Sequence, residues 1–346
     1  MTPLDEKLKQ VMELHFDPRW GSAFWLERAR QLRFDPRREI DGIGDLRRLG
    51  PMPLEAFAQR PVEDFIPRKH HEQLSEFILS ETGGTTGPPK RTAFLPGEFE
   101  EAFVTPFVRA AELTGFPRGA HWLYLGPTGP HLVGKAVRAC ARALGSLEPF
   151  AVDFDPRWVR KLPPESMGRR RYIEHILAQA ESILQTQCIG VLFATPPLAA
   201  ELARRLPEDV RGAIQGVHLG GMAATAGFWS SVGADWFPNA KVMSGYGNSL
   251  LGVCPQLYAP GNGPPAYFPH GVRSFVYVHR SNGSVRGQVR FHRLDESCFL
   301  PNVHERDEAE TIEAEIAFKV RGFHRTGILD PRPPESSVEA KQGGLY

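Results

Sequence analysis

Short apolar runs alternate with helical stretches between residues 98 and 243, and this alternation restricts the possible folds more than any other feature of the chain. The runs His121–Leu125 and Ile189–Ala194 have the length of buried strands, and each follows a stretch with helical spacing. Pro196 and Pro197 then open a helix, where proline costs little because the first helical N–H groups have no partner. The pattern predicts an α/β fold in which helices flank a doubly wound, mostly parallel sheet.

After Arg273 the pattern becomes rich in strands. The runs Ser274–Val278, Gln288–Phe291 and Ala317–Val320 predict an antiparallel sheet or a distorted barrel beside the α/β core. We therefore expect three segments, which are a core with a helical N-terminal part at 1–272, a β-rich subdomain at 273–330 and a flexible tail at 331–346.

The charges of the chain nearly cancel, since 41 Lys and Arg residues stand against 40 Asp and Glu residues. Such a balance offers no bulk attraction to nucleic acid or to an anionic membrane. The chain lacks an apolar run of the ~18 residues that a membrane span needs. Its first residues also lack the basic and then apolar order of a secretory signal. We therefore expect a cytoplasmic protein that binds neither nucleic acid nor membrane.

Four cysteines lie far apart, and no two of them have the spacing of a zinc or redox pair. They are Cys140, Cys188, Cys254 and Cys298. This usage indicates a reducing compartment, and it predicts that each thiol is buried and structural. A chemical role stays open for Cys254 and Cys298, which lie near the loops described next.

The segment Ser80–Lys90, rich in glycine and threonine, is the strongest candidate for binding chemistry. Its glycines let the backbone approach a ligand closely, and successive N–H groups in such a loop form a nest for an anion. The threonine hydroxyls and Lys90 add donors suited to phosphate. The segment is not the P-loop of ATPases, because Pro88 and Pro89 remove two N–H donors where that loop needs them.

The order Thr-x-Gly-Thr-Thr-Gly-x-Pro-Lys resembles the phosphate-binding signature of the adenylate-forming superfamily. This family includes acyl-CoA synthetases, peptide-synthetase adenylation domains and luciferases. The matching residues are Thr82, Gly84, Thr85, Thr86, Gly87, Pro89 and Lys90, with Gly83 where serine is usual. The resemblance implies that the segment grips the β- and γ-phosphates of ATP, with Thr86 and Lys90 as catalytic residues.

Two later segments resemble the adenine site of the same family. His218–Met222 resembles the strand and loop beside the adenine, although Met222 stands where the family commonly has glutamate. Ser244–Gly252 resembles the Tyr-Gly-x-Ser/Thr-Glu motif. The resemblance implies nucleotide contacts at Gly220, Gly221, Met222, Ser244, Gly245, Tyr246, Gly247, Asn248 and Ser249.

Within the second segment, Tyr246 would stack near the adenine and Ser249 would face phosphate. The acidic residue that normally follows and helps to hold Mg²⁺ is replaced by Leu250. A leucine cannot bind a hard cation, so the metal would depend on phosphate oxygens and water or on a carboxylate elsewhere.

Two further residues have roles by resemblance. His131 lies where the family places an aromatic residue or histidine at the carboxylate pocket, and a histidine in an ordinary turn is the open alternative. Phe323–Asp330 resembles the Tyr-Arg-Thr-Gly-Asp element whose aspartate holds the ribose. Ile328 stands where that aspartate is expected, so we assign the ribose to Asp330.

These matches together imply the large N-terminal domain of the adenylate-forming fold, without the mobile C-terminal domain. Ile40–Phe57 resembles the lead-in of the phenylacetate-CoA ligase branch. The short form is similar to stand-alone adenylating proteins of phenazine (griseoluteic acid) antibiotic biosynthesis. The implied activity is ATP-dependent adenylation of a carboxylic acid, with ATP or AMP and Mg²⁺ as cofactors. We further expect an aromatic acid as the substrate, a reductase, transferase or carrier protein as the partner, and a homo-oligomer.

Two alternatives stay open. The chain could be an acyl-protein synthetase or CoA ligase that completes a thioester, with a cysteine such as Cys298 as acyl acceptor. It could also be a non-catalytic protein that binds a nucleotide or an acyl-adenylate, because Leu250 and Ile328 replace acidic residues of the family.

Overall fold

The computed structural model describes residues 2–82, 87–221, 226–258, 263–281, 283–314 and 322–334. The chain divides into two compact units. Unit 1 comprises Met1–Phe103, Gly247–Gly252 and Pro269–Ile328, and unit 2 comprises Val104–Tyr246, Val253–Phe268 and Leu329–Tyr346. The division at 1–272, 273–330 and 331–346 stays a prediction.

Unit 1 begins with short helices. A capping box starts the first of them, because the Thr2 hydroxyl accepts from the Asp5 N–H and the Asp5 carboxylate accepts from the Thr2 N–H. The helices are α1 (Pro3–His15), α2 (Ala23–Ala29), α3 (Pro36–Glu39), α4 (Ala56–Gln59) and α5 (Pro96–Phe99). Segments of 3₁₀-helix cover Ile43–Leu49, Val62–Asp64 and Arg68–Glu76, and a π-helical segment covers Glu100–Val104. Strands β1 (Ile78–Glu81) and β2 (Arg91–Phe94) form an antiparallel hairpin.

Unit 2 contains the predicted parallel sheet. Its strands are β3 (His121–Leu125), β4 (Phe150–Val152), β5 (Ile189–Ala194), β6 (Gly216–Leu219), β7 (Lys241–Asn248), β8 (Gly252–Tyr258) and β9 (Ala266–Tyr267). Their order in the sheet is β4-β3-β5-β6-β7-β8-β9. Strands β3 to β7 pair in parallel, whereas β8 and β9 are antiparallel. The last two residues of β7 and the first of β8 belong to unit 1.

The helices of unit 2 follow its strands in alternation. They are α6 (Thr105–Thr114), α7 (Leu132–Ala143), α8 (Pro156–Lys161), α9 (Met167–Thr186), α10 (Pro196–Arg205), α11 (Glu208–Ala213) and α12 (Ala226–Ser231), with a π-helical segment at Val232–Trp236. Among the described residues, no helix combines the length and the apolar character that crossing a membrane requires.

Both faces of the parallel sheet are covered by apolar side chains. On one face, Leu192 of β5 and Val217 of β6 share a fully buried core with Leu177 of α9 and Leu198 of α10. On the other face, the ring of Phe107 from α6 packs against strand residues. Burial on both faces explains why β5 is an unbroken apolar run in the sequence. The predicted α/β fold is therefore confirmed.

The C-terminal part of unit 1 is an antiparallel sheet. Its strands are β10 (Ser274–His279), β11 (Arg286–Leu294), β12 (Phe299–Glu313) and β13 (Thr326–Arg332), in that order. The predicted strands at Ser274–Val278 and Gln288–Phe291 are confirmed, and Ala317–Val320 lies outside the described residues. The longest strand, β12, was not predicted, because charged residues fill its second half and hide the apolar alternation. Strand β13 continues past Asp330, and its last four residues belong to unit 2.

Candidate functional site

The glycine-rich segment begins and ends at the two strands of the unit 1 hairpin. Glu81 of β1 lies opposite Arg91 of β2, and their side chains form an ion pair of 3.0 Å. The Lys90 N–H donates to Thr82 Oγ1 at 2.9 Å, and the Thr82 N–H donates to the Lys90 carbonyl at 3.0 Å. The hairpin therefore holds both ends of the segment together. The predicted residues Gly83, Gly84, Thr85 and Thr86 lie outside the described residues.

The segment 248–251 of unit 1 packs against this hairpin. The Ser80 hydroxyl donates to the Ser249 carbonyl at 2.8 Å, and the Ser249 hydroxyl donates to the Glu81 carbonyl at 3.2 Å. Asn248 Oδ1 accepts from the N–H groups of Leu250 and Leu251 at 2.8 and 3.0 Å, which closes a tight turn. Two motifs that are far apart in the sequence are thus adjacent within unit 1.

A carboxylate that the sequence did not indicate lies beside the same residues. Glu305 of β12 is half-buried, and its Oε1 accepts from Asn248 Nδ2 at 2.6 Å. Burial raises the pKa of Glu305 to about 7, whereas its bond to Asn248 and the positive charge of Lys90 act in the opposite direction. Leu250, at the expected acidic position, is 4% exposed and belongs to the core. The register of β12, which no local pattern reveals, brings Glu305 to this place.

The pKa of Glu305 leads to a prediction about stability. The unfolded chain loses this proton near the ordinary pKa of 4.5, but the folded protein keeps it until about pH 7. The stability that the folded protein gains by holding this proton is therefore fully present below about pH 4.5, and it is lost as the pH rises through 7. We expect the free energy of unfolding of the wild type to fall relative to Glu305→Gln across that range. Urea unfolding at several pH values measures it, and a constant difference between the two proteins would contradict the prediction.

A buried ionic network contacts strand β2 of the hairpin. Asp295 accepts from Arg273 Nη2 at 2.7 Å and from Arg293 Nε at 2.5 Å, and all three side chains are almost fully buried. Arg293 also donates to the Ala93 carbonyl of β2 at 2.9 Å, and Arg273 donates to the Leu251 carbonyl at 2.6 Å. Although burial opposes it, the two guanidinium groups keep the pKa of Asp295 below its usual value. The network therefore links β2 to the segment 248–251.

In unit 2, the predicted adenine residues lie at the ends of β6 and β7. Gly221 has φ of +83°, a backbone conformation that strongly favours glycine. A Cβ on Gly220 would approach the ring of Phe193 at 3.1 Å, and a Cβ on Gly245 would meet Val253 at 2.6 Å. Glycine at positions 220 and 245 therefore leaves room for the neighbouring side chains of Phe193 and Val253. The predicted residue Met222 lies outside the described residues.

Tyr246 belongs to a polar group in unit 2. Its ring lies 6.1 Å from that of Tyr267, whose hydroxyl is 2.9 Å from Ser244 Oγ. The Ser244 hydroxyl also donates to Gln256 Oε1 at 2.8 Å. Burial, with the nearby charge of Asp330 as a smaller contribution, raises the pKa of Tyr267 to about 12.

Asp330, the residue that we assigned to the ribose, therefore lies near this polar group. It has φ of +50°, and its carboxylate is 3.3 Å from Arg332 Nε. Ile328 is 1% exposed and belongs to the core. Of the two positions that the sequence left for a ribose ligand, only Asp330 presents a carboxylate.

His131 precedes the first residue of α7 and is 6% exposed. Its N–H donates to the Thr128 carbonyl at 3.1 Å, so the residue closes a turn. Although burial opposes it, the pKa of Asp155 is lowered mainly by its hydrogen bonds from Arg157, and the His131 imidazole makes a smaller electrostatic contribution. The structure therefore places His131 in a turn, and its role at the carboxylate pocket remains a prediction.

The cysteines agree only in part with the expectation that all four are buried. Cys140, Cys254 and Cys298 are buried, but Cys188 is exposed, because it follows the C-terminal end of α9 and precedes β5. Burial raises the pKa of the Cys298 thiol to about 12, so it is protonated at neutral pH. Cys298 is therefore unsuited to accept an acyl group in the folded protein.

Comparison with solved structures identifies similar folds. No protein-family model and no curated protein matches the chain. An open conformation of 2-hydroxyisobutyryl-CoA ligase, in complex with 2-HIB-AMP and CoA, matches with TM-score 0.67 and 15% identity over 94% of this chain and 72% of that chain. Its thioesterification state matches with TM-score 0.65 and 16% identity over 95% and 66% of the two chains. The chain thus shares the α/β fold of these ligase structures over most of its length.

Proposed function

We propose that this chain is an adenylate-forming enzyme that uses ATP to convert a carboxylic acid into an acyl-adenylate. The observation that carries the proposal is the segment Thr82–Lys90, whose family signature is closed at its base by reciprocal hydrogen bonds. The solved structures with the same fold include a ligase in complex with 2-HIB-AMP, an acyl-adenylate, which supports the same chemistry here.

In the proposed reaction, a carboxylate oxygen attacks the α-phosphorus of ATP, and pyrophosphate leaves. Such a reaction depends mainly on positioning and on neutralising phosphoryl charge. Lys90 and the hydroxyls of the Thr82–Lys90 segment bind the β- and γ-phosphates and stabilise the leaving pyrophosphate. Tyr246 stacks near the adenine, and Asp330 accepts hydrogen bonds from the ribose hydroxyls.

Magnesium is the cation that this reaction requires, and the available donors suit it. Mg²⁺ is usually held by one or two carboxylates together with substrate phosphates and water. Among the described residues, no group of three or more His, Cys, Asp or Glu side chains could hold a metal ion. Glu305 would hold Mg²⁺ in place of the acid missing at Leu250, because it contacts Asn248 and interacts with Lys90. When bound, the ion would neutralise phosphate charge.

We further propose that the acid is aromatic and that the acyl group passes to a separate acceptor. A reductase, a transferase or a carrier protein fits that role, because Cys254 and Cys298 are buried. Two finer proposals rest on the sequence resemblance. One is a place in the secondary metabolism of aromatic acids, such as phenazine biosynthesis, and the other is membership of the phenylacetate-CoA ligase branch.

A non-catalytic binding protein is the second candidate. Leu250 and Ile328 stand at two acidic positions of the family, and both are buried and apolar, so neither position itself presents a carboxylate. Such a protein would bind ATP or an acyl-adenylate without turning it over.

Acid-dependent exchange of labelled pyrophosphate into ATP distinguishes these functions. We expect exchange that requires both Mg²⁺ and an acid from an aromatic panel. Acyl label retained on the denatured protein would instead indicate a thioester-forming synthetase. ATP binding in a calorimeter, without exchange with any acid, would contradict adenylation and support the binding protein.

A further inference from the structure

Tyr267 of β9 belongs to a chain of hydrogen bonds that has no role in the function proposed above. Its hydroxyl lies 2.9 Å from Ser244 Oγ, and the Ser244 hydroxyl donates to Gln256 Oε1 at 2.8 Å. Ser244 lies on β7 and Gln256 on β8, so the chain crosses three neighbouring strands of unit 2. Because Gln256 and Tyr267 are paired in the register of β8 and β9, strand pairing fixes the spacing of these side chains.

The number of hydrogens gives the direction of the chain. A serine hydroxyl carries one hydrogen, and Ser244 donates it to Gln256. Ser244 Oγ therefore accepts the hydrogen of the Tyr267 hydroxyl. Burial, with the charge of Asp330 as a smaller contribution, raises the pKa of Tyr267 to about 12, so the phenol carries that hydrogen at neutral pH. The chain therefore runs from Tyr267 through Ser244 to Gln256.

The ring of Tyr267 lies beside a residue that we assign to the nucleoside half of ATP. Its centre is 6.1 Å from that of Tyr246, at an interplanar angle of 47°, which is within the range of aromatic pairs. Tyr267 is 7% exposed and Tyr246 is half-buried, so the more accessible ring packs against the more buried one. An anchored ring of this kind restricts the orientations that are open to its neighbour.

We propose that Tyr267 is a positioning residue for the nucleoside half of ATP, because it holds the ring of Tyr246 in the orientation that stacks near the adenine. The proposal rests on the nucleotide role of Tyr246 in the function proposed above. Tyr267 acts through its neighbour and needs no contact with the ligand. Its loss therefore weakens binding of every ligand that carries adenosine, whereas binding of polyphosphate alone, which is assigned to Thr82–Lys90, stays unchanged.

Tyr267→Phe tests the proposal, because it removes the hydroxyl and keeps the ring. We expect the Kd for AMP and for a non-hydrolysable ATP analogue, measured by calorimetry, to rise together by about 3- to 10-fold, the effect of one lost hydrogen bond. The Kd for tripolyphosphate should stay unchanged. In pyrophosphate exchange, the KM for ATP should rise by the same factor, whereas kcat and the KM for the acid should change little. Tyr267→Leu also removes the ring and should raise the Kd for AMP at least about 10-fold.

Gln256→Leu tests whether the hydrogen-bond chain carries the effect. Without this acceptor the Ser244 hydroxyl can turn toward Tyr267, so the anchor is no longer fixed and the Kd for AMP should again rise. Because both changes break one chain, the double variant with Tyr267→Phe should bind AMP no more weakly than the weaker single variant. Tyr124→Phe is the matched control, since the buried Tyr124 hydroxyl also donates one hydrogen bond, to the Pro127 carbonyl at 3.0 Å. It should keep the wild-type Kd for AMP.

Three results would overturn the inference while adenylation stands. They are an unchanged Kd for AMP in Tyr267→Phe, equal losses for AMP and tripolyphosphate in that variant, and fully additive losses in the double variant. Should Tyr267→Phe fail to fold, an unchanged Kd for AMP in Gln256→Leu would overturn the inference in the same way. Absence of exchange by the wild type with every acid, together with the expected shift of the Kd for AMP, would overturn adenylation and support the positioning role.

Discussion

Lys90→Ala lowers acid-dependent pyrophosphate exchange by about 100- to 1000-fold, because removing one donor that stabilises developing charge has an effect of this size. The fold should persist, since Lys90 binds Thr82 through backbone N–H and carbonyl groups that alanine also has. Thr86→Ala should lower exchange in the same direction, because the family signature assigns its hydroxyl to the phosphates. The measurement is the exchange rate at saturating acid and several ATP concentrations.

Lys9→Ala is the matched control, because Lys9 is an exposed lysine of α1. This variant should keep the wild-type exchange rate, and all three variants should keep the wild-type Tm. Unchanged rates in both Lys90→Ala and Thr86→Ala would show that the segment does not bind the polyphosphate.

Asp295→Asn reduces the free energy of unfolding by about 3 to 5 kcal/mol, because it leaves two buried guanidinium groups without their shared counter-charge. Arg273 and Arg293 are 3% and 0% exposed, so water cannot replace the lost carboxylate. The loss is a large fraction of the about 5 to 15 kcal/mol that stabilises a typical domain. Urea unfolding followed by circular dichroism at neutral pH measures it.

Glu174→Gln is the control for this variant. Glu174 also forms an ion pair with an arginine, at 2.6 Å from Arg205, but its side chain is 60% exposed. Exposed pairs of this kind contribute little to stability, so its unfolding midpoint should match the wild type. Equal losses in the two variants would show that burial of the Asp295 network does not determine its contribution.

The sequence predicted elements whose pattern is local. Strand β5 was found with its observed bounds, Ile189–Ala194, because burial on both faces makes every residue apolar. Helix α10 was found because its two prolines mark a helix start. Strand β12 was missed, since the run His304–Glu313 contains mainly charged residues and resembles a solvated segment.

The candidate site was predictable only as separate motifs. The order of residues in Ser80–Lys90 predicts a phosphate-binding segment, but nothing local places Asn248 beside Glu305. That contact depends on strand register, which is set by pairing between distant parts of the chain. The hydrogen bond between Tyr267 and Ser244 could not be recognised either, because partners are a property of the folded chain.

A crystal structure with a non-hydrolysable ATP analogue and Mg²⁺ tests the central claim most directly. We expect the polyphosphate oxygens to lie within hydrogen-bond distance of the Thr82–Lys90 backbone and of the Lys90 amine. A nucleotide bound elsewhere, with that segment making no contact to phosphate, would contradict it.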